Sequence, residues 1–213
     1  MKSIVILISG RGSNMEAIVR AAIPGVRIAA IVSNRPMAAG LQFAADHGLH
    51  TEVVDHTSFE SRDQFDRALA EIIDRHAPDL VVLAGFMRVL TDAFVRHYEG
   101  RLINIHPSLL PSFGGLATHR RAIESGVRFH GATVHYVTPS LDDGPIVIQA
   151  AVPVLPDDTE ETLAERVLIE EHRIYPQAVR WITEGRVSLE NGRAVVRAAP
   201  AVNAVTNPAL ECS

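Results

Sequence analysis

The sequence predicts a three-layer α/β/α fold around a mostly parallel, Rossmann-like sheet of about seven strands. Three observations predict it. Short apolar runs alternate with amphipathic stretches through the first half of the chain. The first of these runs is apolar at almost every position, as a strand buried on both faces must be. Glycine-rich or Pro/Ser-rich breaks follow the strands, and strand–helix–strand alternation of this kind implies right-handed crossovers with helices on both faces. At 213 residues the chain suits one large domain with a short extension, since domains run to roughly 150 residues. The main domain is expected over residues 1–186. A short hairpin and a loose tail are expected over 187–213.

The elements follow in order. Residues 3–9 form the first strand, which Gly10-Arg11-Gly12-Ser13-Asn14 breaks before a helix over 15–22. Residues 26–32 form a second strand, followed by the turn Ser33-Asn34-Arg35-Pro36 and a helix over 38–47. A short third strand covers 51–54. The helix over 59–76 places Phe65, Leu69, Ile72 and Ile73 on one face. A fourth strand covers 79–83, a short helix 91–98, and a fifth strand 102–106. After the loop 107–115 comes a helix over 118–124, then strands over 129–137 and 146–154. A long helix over 159–184 follows the acidic pair Asp157-Asp158. Asn191-Gly192 between two short apolar runs signals a hairpin.

Composition excludes several classes. Hydrophobic residues at 47% and charged residues at 21% rule out wholesale disorder. Twenty Lys and Arg against 25 Asp and Glu give a net charge of −5, which argues against coating nucleic acid. Small anionic ligands stay open, because a local site can be positive on an acidic protein. The single cysteine, Cys212, allows no internal disulfide. No stretch reaches the roughly 18 apolar residues of a membrane span, and the first apolar run stops too soon for a signal peptide. A cytoplasmic protein without membrane or nucleic-acid partners is expected, as a monomer or homodimer.

Three motifs carry chemistry. The loop after the first strand lacks the third glycine of a dinucleotide fingerprint and the Lys of a Walker loop. What remains is a phosphate loop in which Gly12, Ser13 and Asn14 offer N–H groups and polar side chains at a helix N-terminus; a tight turn with an Asn cap is the competing reading. Asn104 and His106 are two apart on one strand, so both point to one face at its C-terminal end. An amide beside an imidazole can polarise a carbonyl and donate a proton as charge develops. A buried, hydrogen-bonded histidine would look the same. Asp142, in Leu141-Asp142-Asp143-Gly144-Pro145, could hold that imidazole, although Asp-Asp-Gly is also ordinary turn chemistry. The ten histidines show no His-Glu-x-x-His spacing, so no metal site is expected.

Four segments occur in order at family-like spacing: Ser9-Gly10-Arg11-Gly12-Ser13-Asn14, Leu83-Ala84-Gly85-Phe86-Met87-Arg88, Asn104-Ile105-His106-Pro107-Ser108-Leu109-Leu110-Pro111, and Leu141–Pro145. Over residues 1–186 the chain resembles the phosphoribosylglycinamide formyltransferase family. The resemblance implies formyl transfer from 10-formyltetrahydrofolate, a co-substrate, to the amine of phosphoribosylglycinamide in purine biosynthesis. It implies Asn104, His106 and Asp142 as the catalytic trio, with Asp142 keeping the imidazole protonated. Gly12, Ser13 and Asn14 would take the nucleotide's phosphate. Glu171, beside Glu170, would face the glycinamide end. Met87, Arg88, Val89 and Leu90 would line the pterin pocket together with Asn104, and Arg62 would lie near the folate's glutamate tail. The alternative is a related folate-dependent formyltransferase or deformylase with another acceptor. Two departures from the family pattern stand out: Pro139 three residues before Asp142, and Gly114-Gly115 in the loop after His106. Both are expected to leave the trio untouched.

Overall fold

The computed structural model describes residues 1–198. Its strands are β1 (Lys2–Ile8), β2 (Val26–Ser33), β3 (Thr51–Val53), β4 (Leu80–Leu83), β5 (Leu102–His106), β6 (Phe129–Tyr136) and β7 (Ile146–Pro153). They form one sheet in the order β3-β2-β1-β4-β5-β6-β7. The first five pair in parallel. β6 runs antiparallel to both β5 and β7. The mostly parallel sheet read from the sequence is therefore present, with β6 alone reversed.

Alternation along β1 builds both cores. Ile4, Ile6 and Ile8 pack toward α1 (Ser13–Arg20), α2 (Ala39–Asp46), α5 (Thr118–Glu124) and α6 (Glu160–Thr183). Val5 and Leu7 pack toward α3 (Arg62–Arg75) and α4 (Asp92–His97). Because both faces are covered, every β1 residue from Ile4 to Ile8 is fully buried, which is why the strand reads as continuously apolar.

Most boundaries fall within a residue or two of expectation. The exception is α3, which starts at Arg62 because the Ser61 hydroxyl caps it, accepting from Gln64 N–H at 3.2 Å. Earlier in the connection, His56–Ser58 make a separate 3₁₀ turn capped by Asp55. Phe65, Leu69 and Ile73 are buried as predicted, whereas Ile72 is only half-buried. α6 begins with a Thr159/Thr162 capping box. The fully buried Tyr175 then donates to the carbonyls of Leu83 at 2.8 Å and Ile103 at 3.3 Å, fixing α6 against the ends of β4 and β5. β8 (Val187–Glu190) and β9 (Arg193–Val196) form the expected hairpin. Asn191 and Gly192 both take positive φ there, as a type I′ turn requires. The tail expected after this hairpin lies almost wholly outside the described residues, as does Cys212. Among the described residues no helix is long and apolar enough to cross a membrane.

The order of strands places the site. After β1 the chain turns to β2 on one side and later crosses to β4 on the other. The crevice where the winding reverses lies between the C-terminal ends of β1 and β4.

Candidate active site

The loop after β1 lines that crevice, whose volume is about 250 Å³. The first bond of α1 runs from Glu16 N–H to Gly12 O at 2.8 Å. The N–H groups of Ser13 and Asn14 therefore precede the helical ladder and stand at the positive end of α1. Gly12 is left-handed, with φ +79°. A Cβ there would stand 3.0 Å from Met15 Cε and 3.1 Å from Gly40 Cα. The need for glycine at 12 is thus set by the packing of α1 on α2 and by backbone sign.

Sequence reasoning gave Arg11 and Arg35 no role, yet both line the crevice with the loop, Gly85 and Met87. Arg35 lies two residues beyond β2, at the same sheet edge. Its position past a strand end next to the switch point was the available signal, and the turn reading of Ser33–Pro36 hid it. Ser9 ties three strand ends together: its hydroxyl accepts from Met87 N–H at 2.8 Å and donates to Asn34 Oδ1 at 2.6 Å.

Asn14 differs from expectation. Its side chain turns inward and donates from Nδ2 to Glu171 Oε2 at 2.7 Å, both groups being buried. Burial raises the Glu171 pKa and the Asn14 bond opposes that rise. Glu170 points elsewhere and pairs with Arg173 at 2.9 Å. Of the two adjacent acids, the structure joins only Glu171 to the phosphate-type loop.

At the end of β5, Asn104 sits opposite His135 of β6, and Asn104 Nδ2 lies 3.5 Å from His135 Nε2. His135 Nδ1 donates to the Tyr136 carbonyl at 2.9 Å, which leaves Nε2 as the acceptor. The Asn104 amide is thereby oriented by His135. Burial lowers the pKa of His135, keeping this neutral tautomer. His135 was missed in the sequence because its role depends on an inter-strand register.

His106 is 7% exposed. Its Nε2 lies 3.2 Å from the Phe113 carbonyl, and its Nδ1 lies 3.6 Å from Asp142 Oδ2. Both ring nitrogens thus face acceptors. Asp142 is held at φ +52°, and its Oδ2 accepts from Gly115 N–H at 2.8 Å. This corrects the expectation that Gly114-Gly115 leaves the trio untouched. Gly115 bonds Asp142 directly at a left-handed φ of +78°, and a Cβ on Gly114 would lie 3.7 Å from Asp142 Cβ. Pro139 is exposed. Thr133 and Gln149 hold the intervening loop from below, through Leu110 N–H, Ser108 O and Leu110 O. Nearby His130 is pushed down to about 4 by burial and by the adjacent His119. Burial lowers His119 as well.

Segment 87–90 leaves Met87 65% and Val89 57% exposed beside the crevice. Leu116 and Leu141 are also exposed, on the two loops that the Gly115–Asp142 bond joins. Exposed apolar side chains gathered on loops at a sheet's C-terminal edge suit a flat apolar ligand. Arg88 does not reach outward: its guanidinium lies 4.8 Å from the centroid of the Phe65 ring. The exposed Arg62 begins α3, one turn before Phe65.

The family model for formyl transferase matches residues 2–179. The phosphoribosylglycinamide formyltransferase of Escherichia coli K12 is 48% identical over 90% of this chain and 92% of its own length. The chain belongs to the phosphoribosylglycinamide formyltransferase family. Every loop and side chain of the crevice falls inside the matched span, whereas the β8–β9 hairpin falls outside it. Solved formyltransferases agree in fold. That of Coxiella burnetii has a TM-score of 0.88 at 46% identity, covering 94% of this chain and 96% of that one. The transformylase of Symbiobacterium toebii has 0.89 at 46%, covering 92% and 94%. The chain is also 44% identical, over 89% of its length, to the bovine trifunctional purine biosynthetic protein adenosine-3, of which it spans 19%.

Proposed function

We propose that this formyltransferase moves the formyl group of 10-formyltetrahydrofolate onto the amine of phosphoribosylglycinamide. The observation that carries the reading is the meeting of Asn104, His106 and Asp142 at one strand end, beside an anion loop and an exposed apolar rim. The phosphate sits at Ser13 and Asn14 N–H, with Arg11 and Arg35 supplying positive field on a chain of net charge −5. Glu171, behind Asn14, faces the glycinamide end. The pterin lies on Met87, Val89 and Leu90, with Arg62 toward the glutamate tail.

The amine attacks the formyl carbon and an oxyanion develops. The Asn104 amide and the His106 Nδ1 proton stabilise it, since Nε2 is engaged by Phe113 O. The formyl carbon–folate nitrogen bond then breaks as that nitrogen takes the His106 proton, and the attacking amine gives up one of its own protons to restore His106. His106 Nδ1 and Asp142 Oδ2 are 3.6 Å apart, longer than a direct hydrogen bond, so a water beside the pair could contact both. Purified protein should release tetrahydrofolate only when both substrates are present. Equal release without the ribonucleotide would favour water as acceptor and sink the reading.

Two further outcomes are expected. Asp142→Asn keeps an oxygen for Gly115 N–H but removes the negative charge beside His106. It should lower kcat by about 10²-fold or more while leaving both Michaelis constants within about threefold, read by steady-state kinetics. Arg35→Ala removes an exposed cation, so it should raise the ribonucleotide's Michaelis constant by about three- to tenfold, an effect that shrinks with added salt. An unchanged constant at low salt would remove Arg35 from the phosphate site.

A further inference from the structure

β3 is an edge strand of three residues, paired on one side only, with β2. His50, just ahead of it, and Glu52 within it are two apart, so their side chains project to one side. His76 is the C-cap of α3. The three meet at one point. Glu52 Oε1 accepts from His76 Nε2 at 2.5 Å and from His50 Nε2 at 3.1 Å. The ligand atoms of all three residues lie within 4.8 Å of one another. Among the described residues no other group of three or more His, Cys, Asp or Glu side chains converges this way.

We propose that His50, Glu52 and His76 form a binding site for one zinc ion, which clamps the edge strand β3 to the end of α3. Two imidazoles and a carboxylate are a zinc-type donor set, with bonds of about 2.0–2.2 Å. In the metal-free form each Nε2 carries the proton it shares with Glu52. On binding, each imidazole keeps one proton, on Nδ1, and offers its Nε2 lone pair to the metal. Nothing is oxidised or reduced. His50 is exposed, so its ring can swing to close the spread between ligands. The carboxylate and the negative end of α3 both favour a cation there.

The site lies at the β3 edge of the sheet, with β2 between it and β1, and none of its three residues lines the crevice. The sequence hid it because His50 and His76 are 26 positions apart; only the β3–α3–β4 crossover brings them together.

Calorimetric titration of the metal-free full chain with zinc chloride tests this. One ion per chain should bind, and the melting temperature should rise with zinc, as for any ligand of the native state. His76→Asn and Glu52→Gln should each weaken zinc binding at least about tenfold and abolish the thermal shift. Their circular dichroism should match the parent. His97→Asn alters an exposed histidine whose Nε2 lies 2.8 Å from Asp74, and it should bind zinc like the parent. Formyl transfer should be the same with and without zinc. No one-to-one binding, or equal binding by parent, His76→Asn and Glu52→Gln, would overturn the proposal.

Discussion

His106→Ala is expected to leave a folded protein whose kcat is lower by about 10³-fold or more. General acid catalysis is worth about 10²–10⁴-fold, and loss of an oxyanion donor costs about 10²–10³-fold. One imidazole serves both needs here, so the two losses coincide. The fold should survive because the His106 side chain contributes a single direct hydrogen bond, to Phe113 O, at the rim of the sheet. Asp142 keeps its Gly115 partner, so the loop retains an anchor. The Michaelis constants should change little, because phosphate and pterin are held on other segments. Steady-state rates with matched circular dichroism spectra decide the matter. A folded variant within about tenfold of the parent would mean that proton transfer runs through another group.

What the sequence made legible and what it hid divide along physical lines. Period-2 and period-3.6 patterns carry burial, so β1 and the Phe65–Leu69–Ile73 face of α3 could be read directly. Asn104 and His106 could be placed on one face because their relation is local. Relations across the sheet could not be read. His135 orients Asn104 only through the β5–β6 register, and no spacing announces it. The inward turn of Asn14 toward Glu171 depends on α1 packing against α6, 157 residues away along the chain. Gly114-Gly115 looked like a departure that leaves the trio untouched. It proved to be the backbone donor for Asp142 because two distant loops meet. Likewise Arg88, read as a pocket residue, packs over Phe65, since a cation over an aromatic face is favourable where the outward path offers only water.

Gly12→Val is expected to damage nucleotide binding through the fold. At φ +79° a β-branched residue is strained, at a cost of about 1–3 kcal/mol. The new Cβ would also press on Gly40 Cα at 3.1 Å, a backbone atom that cannot rotate away. The N-terminus of α1 must then shift off α2, carrying with it the Ser13 and Asn14 N–H groups and the Asn14–Glu171 bond. For a chain of this size each kcal/mol moves the melting temperature by about 2–4 °C, so a drop of roughly 3–10 °C is expected. The ribonucleotide's Michaelis constant should rise by about tenfold or more, while that of the folate changes several-fold less, because Met87–Leu90 hang from β4. Gly10→Ala is the contrast, since a Cβ there meets nothing within 4 Å: stability should hold, and any loss of nucleotide affinity would report direct crowding of the ligand. If Gly12→Val kept its melting temperature yet lost nucleotide binding, direct ligand approach would set that glycine, and the packing account would be wrong.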